Sequence, residues 1–105
     1  MILIQIPLLN RKAMALFPFV LIKKRSYASD PVLINHERIH LRQQVELLIL
    51  PFYILYLLSF LFHLIRTQNI ETAYRSIVFE KEAYACQENP EYLKSRRCWN
   101  FRKYF

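Results

Sequence analysis

The 105-residue sequence contains no glycine. Phosphate-cradling loops and dinucleotide fingerprints need backbone without a Cβ, so nucleotide-dependent chemistry of that kind is excluded. Acid is scarce as well: eight Asp and Glu face fifteen Lys and Arg, for a net charge of +7. The last twelve residues hold Lys94, Arg96, Arg97, Arg102 and Lys103 without a single acid. Such a segment suits an anionic partner, nucleic acid or lipid headgroups, or is a solvated terminus. The two cysteines, Cys86 and Cys98, form no C-x-x-C pair and are expected to be reduced thiols. There is no internal repeat. A cleavable leader is not expected, because MILIQIPLL lacks a basic n-region and an A-x-A site.

What is present fits one domain of modest core. Two short apolar runs, 2–9 and 15–22, flank Asn10-Arg11-Lys12 and read as a pair of edge strands, a candidate hairpin. Pro7 and Pro18 restrict each to an edge or a strand end. Asp30-Pro31 then reads as a helix start, an N-cap acceptor followed by a residue that needs no N–H. The helix is predicted over 31–50, with Pro51 breaking it. An apolar helix over 52–66 follows, then a helix over 69–88 and a basic, aromatic tail over 89–105.

The chemistry lies in the first of these helices. Residues 36–40 read H-E-R-I-H. At i and i+4 the imidazoles of His36 and His40 lie on one helix face, as a shared metal requires, while Arg38 and Arg42 point away. Two histidines do not hold zinc durably, so a third protein ligand is needed. The downstream candidates are His63, Glu71, Glu80, Glu82 and Glu88. His63, alone in an apolar run, reads as a core or interface residue.

HERIH followed about 40 residues later by FEKEAYA resembles the gluzincin metallopeptidases. The similar branches are the CAAX prenyl proteases with their heat-shock membrane-protease relatives, and the β-lactam sensor proteases. There a second helix carries E-x-x-A-D, and its glutamate is the third zinc ligand. The resemblance implies Zn²⁺ held by His36, His40 and Glu80, with Glu82 in reserve. It implies Glu37 as the general base and a peptide or protein substrate. Tyr84 stands where the family has aspartate, and Tyr84 or Tyr74 would stabilise the oxyanion. FPFVLI, residues 17–22, resembles the strand that pairs with extended substrate.

Residues 47–65 carry no charged side chain and approach the length of a membrane span. A single crossing would put His40 and Glu80 on opposite sides of about 30 Å of hydrocarbon, too far for one zinc. The segment is therefore expected to fold back, or to pack in the core or along a membrane surface. The expected architecture is a small, mainly helical α+β domain, zincin-like, with its strand pair before the HERIH helix. The expected activity is zinc-dependent peptide hydrolysis, in the cytoplasm or at the cytoplasmic membrane. Two alternatives stay open: a non-enzymatic membrane-anchored protein, and a basic nucleic-acid-binding module, the less favoured of the two.

Overall fold

Asp30 starts the principal helix as the sequence requires. In the computed structural model, which describes residues 2–105, its Oδ1 accepts from the N–H groups of Val32 and Leu33 at 3.1 and 3.2 Å. Pro31 occupies the first turn of α1, Pro31–Glu46. The helix ends four residues short of the expected 50. Leu48 and Ile49 take positive φ, 60° and 50°, and reverse the chain before α2, Leu50–Thr67. Pro51 lies in the first turn of α2, where no N–H is required. Gln68, left-handed, closes α2 by donating its N–H to Leu64 O.

The helix expected over 69–88 is two helices. Asn69 caps α3, Ile70–Ser76, and Ile77 at ψ 132° separates it from α4, Val78–Cys86. Ile77, Val78 and Phe79, at the break and just after it, are all enclosed. They pack with Leu47, Phe52 and Phe101 in the larger apolar cluster. The tail is not a loose terminus: α5, Tyr92–Ser95, and a 3-10 turn over Asn100–Tyr104 return to the body, burying Arg96 and Phe101.

The N-terminal sheet has three strands, not two. These are β1, Ile2–Gln5, β2, Ala13–Leu16, and β3, Phe19–Ile22, in the order β1-β3-β2. The first apolar run forms a strand only to residue 5. The hairpin is β2–β3, turning at Phe17-Pro18, and β1 adds in parallel to the other side of β3. A second cluster, Ala13, Ala15, Val20, Ile22 and Leu41, joins this sheet to α1. Thus α1 supplies Leu41 to one cluster and Leu47 to the other. The fold is a small, mainly helical α+β domain with the HERIH helix at its centre.

Candidate metal centre

Two amides on α1 fix where α4 lies. Asn35 Nδ2 donates to the carbonyls of Gln87 and Asn89, both at 2.9 Å, at the far end of α4. Gln43 Nε2 donates to Phe79 O at 3.2 Å, at its beginning. Glu80 lies in the first turn of α4, where the helix dipole favours a carboxylate. Held this way, it faces the two histidines.

His36 Nε2 lies 3.1 Å from Glu80 Oε1, and His40 Nε2 lies 3.1 Å from Glu80 Oε2. The two Nε2 atoms are 3.2 Å apart. All three side chains are buried, and one donor atom from each lies within 4.8 Å of the others. Donors bound to zinc at about 2.0–2.1 Å in a tetrahedral arrangement sit roughly 3.3 Å from one another, so the cluster needs little rearrangement to hold an ion.

The tautomers agree. Gln43 Nε2 is committed to two acceptors, Phe79 O and Glu82 Oε1. Its oxygen is therefore the atom 2.8 Å from His40 Nδ1, and that nitrogen carries the proton. The lone pair on His40 Nε2 is left facing the cluster. Gln87 Oε1 lies 2.8 Å from His36 Nδ1 and matches this arrangement. Tyr56, in the middle of α2, donates to Glu80 Oε2 at 2.7 Å.

Such a cluster demands positive charge between its atoms. Burial alone would lower the His40 pKa, but the Glu80 carboxylate and the hydrogen bond to it, with Glu37 and Gln43, raise it to about 9. Burial alone would raise Glu80, yet His40 and the hydrogen bonds from both histidines hold it well below the usual carboxylate range. Without a metal, a proton on His40 takes the cation's place.

Glu37 is enclosed, and burial raises its pKa against the opposing pull of His40 and His36. Its side chain borders two cavities over the cluster. The outer one, about 350 Å³, is rimmed by Arg11, Arg75 and Tyr84; the inner, about 140 Å³, is lined by His40, Tyr53, Tyr56 and Glu80. Tyr74 borders both, with the Arg11 guanidinium 3.8 Å from its ring centre.

The strand nearest the cluster is β2, not the expected FPFVLI. Residues 19–22 form β3, which is paired on both sides and has no free edge. Ala13 and Ala15 of β2 line the inner cavity, and their backbone groups point away from β3. Ala15 O is already taken by Gln44 Nε2 and Tyr53 OH, at 2.9 and 2.7 Å.

Other expected residues lie elsewhere. Glu82 faces away from the cluster, binding Arg96, Tyr92 and Gln43. His63 is half-buried on α2 and accepts from Arg66 at 3.0 Å. Tyr84 makes an edge contact with the His36 ring at 4.6 Å, beneath the Arg75 guanidinium. The outer nitrogen of His36 is held by Gln87, not by Tyr84. The sequence reading passed over Gln43, Gln87, Tyr56 and Arg96. Gln43 and Gln87 were findable, each seven residues beyond a ligand and so on the same helix face. Nothing local marks Tyr56 or Arg96. No family model, curated protein or solved structure matches this chain.

Proposed function

We propose that this chain is a small zinc-dependent peptidase of gluzincin type, acting on peptide or protein substrates in the cytoplasm or at the cytoplasmic membrane. The observation that carries the reading is the convergence of His36, His40 and Glu80 beside a buried, cavity-facing Glu37. Two imidazoles and a carboxylate are a donor set of catalytic zinc, with a fourth position left for water. Zinc held there would acidify that water and polarise a peptide carbonyl.

The remaining roles belong to the chain. Glu37, raised in pKa by its burial, accepts a proton from the attacking water and returns it to the leaving amine. Gln43 and Gln87 hold the imidazoles with Nε2 inward. Tyr74, bordering both cavities, keeps its phenol protonated and able to donate to the developing oxyanion. The outer edge of β2 at Ala13, short of the Ala15 carbonyl that Gln44 and Tyr53 occupy, aligns an extended peptide by strand addition.

The test is zinc content and cleavage of unstructured peptides in the parent, His36→Ala and Glu37→Gln. The parent is expected to hold one zinc and cleave. His36→Ala should lose the metal. Glu37→Gln should keep it and lose hydrolysis, by at least the roughly 10²–10⁴-fold expected of a general base. Cleavage by Glu37→Gln at the parent's rate would overturn the assignment, as would absence of zinc from the parent.

A further inference from the structure

α2 turns its apolar side outward. Leu50, Ile54, Leu57, Leu58, Leu61 and Ile65 fall within an arc of about 100° at the helical repeat. They are between 43% and 78% exposed, and of the 18 residues of α2 only Phe52 is buried. Beside this arc, Leu55 and Phe62 line a groove of about 340 Å³ with Tyr104, Phe105 and Lys81. Contiguous apolar surface of this extent marks an interaction site in a soluble fold.

Charge decides what covers it. Fourteen of the fifteen Lys and Arg reach solvent, Arg96 alone being buried, whereas Glu37, Glu46, Glu80 and Glu82 are enclosed among the eight acids. The exterior is thus more cationic than the sequence total implies. Arg66 lies in the last turn of α2 and Lys81 in the groove, with Arg102 and Lys103 just before its Tyr104 and Phe105. A second copy would bring like charge against like. Nucleic acid would find cations, but the arc itself is aliphatic and offers no face for a base to stack on; the aromatic side chains Phe62, Tyr104 and Phe105 lie only in the flanking groove. An anionic bilayer satisfies both features: acyl chains take the leucines and headgroups take the Lys and Arg.

We propose that the outer face of α2, with Tyr104 and Phe105, seats the protein on an anionic lipid surface, α2 lying in the plane of the interface. It does not cross. α3 folds back along α2 and carries exposed Glu71 and Arg75, while Tyr56 at the middle of α2 reaches inward to Glu80. A crossing would carry these charges into hydrocarbon. The inference is independent of the peptidase reading.

Co-sedimentation of the full chain with vesicles tests it. Binding is expected to phosphatidylcholine vesicles containing 30% phosphatidylglycerol, and little to phosphatidylcholine alone. It should weaken in 1 M salt, where the screening length falls to about 3 Å. Leu57→Asp with Leu61→Asp should lower binding by about 100-fold or more, with helical content and zinc content unchanged. Lys81→Glu with Lys103→Glu should reduce binding at low salt only. Depth-dependent quenching of probes at Leu50→Cys, Leu58→Cys and Ile65→Cys, with both native cysteines replaced by serine, should report one shallow depth. Several results would overturn the proposal. They are equal binding by the Leu57/Leu61 variant, equal binding to uncharged vesicles, a Leu58 probe at the bilayer centre, and lipid-free dimerisation that the same two substitutions abolish.

Discussion

Replacing Arg96 by methionine removes the only cation that two enclosed carboxylates share. Its Nε and Nη2 donate to Glu82 at 2.6 and 3.0 Å, and its Nη1 donates to Glu46 at 2.6 Å. The Arg96 and Glu82 side chains are both 0% exposed and Glu46 is 7% exposed, so solvent screens little of the interaction. Breaking such a pair strands buried charge, at a cost of about 3–5 kcal/mol. A domain of this size has roughly 5–15 kcal/mol in total, so the variant loses about a fifth or more of its stability. With a urea dependence of about 1.5 kcal/mol/M, the unfolding midpoint falls by roughly 2–3 M. Adding Glu46→Gln and Glu82→Gln removes the stranded charges and should restore at least half of the loss. The pH dependence carries a sign. Burial would raise the Glu82 pKa, but hydrogen bonds from Arg96, Tyr92 and Gln43 lower it. The pair's stabilisation is present above the unfolded carboxyl value and is lost as pH falls through the lower folded value. Arg96→Met should lack that loss in acid. Urea titration with circular dichroism measures all of this. A shift under about 0.5 M would refute the reasoning and return the tail to solvent.

Further outcomes follow from the proposed zinc site. Glu80→Gln should weaken zinc binding by more than the roughly 10–100-fold typical of losing an outer partner. Glu82→Gln, which faces Arg96 instead, should stay near the parent value; competition with a chromogenic chelator measures both. Gln87→Leu removes the acceptor at His36 Nδ1 and should lower zinc affinity about 10–100-fold without unfolding the domain. Because zinc must displace the proton from His40, whose pKa is raised to about 9, affinity should rise about tenfold per pH unit from 7 and level off near 9. In the metal-free protein the same raised pKa contributes stability that is complete below the unfolded histidine value and lost as pH passes 9. Flat zinc affinity across that window would show that His40 holds no such proton.

What could be read from the sequence was local. The Asp30-Pro31 start and the shared face of His36 and His40 are each set by residues within a turn of one another, whereas the break expected at Pro51 falls earlier, at Leu48 and Ile49. The phase that places Glu80 rather than Glu82 beside the histidines rested on resemblance, and the side chains lie that way. Hidden features depend on distant partners. β1 pairs in parallel with β3 across thirteen intervening residues, and no periodicity encodes a partner. The break at Ile77 has no glycine or proline to mark it. Arg96 sits among the cations of an acid-free segment, and only the fold reveals that Glu82 and Glu46 require it.

The joint at Leu48 and Ile49 bears on how the cluster meets its ion. Ile49, at φ 50° and ψ −67°, is β-branched and left-handed, a conformation that costs on the order of 1–3 kcal/mol. A glycine there would swivel; this joint acts as a stop. On one side of it stand His36 and His40, and on the other Tyr56, whose hydroxyl grips Glu80. The spacing of the donors is thereby indexed by the backbone before any ion arrives. A metal entering the cluster would have little to order, and discrimination among ions would rest on whether each one fits a gauge that folding has already cut.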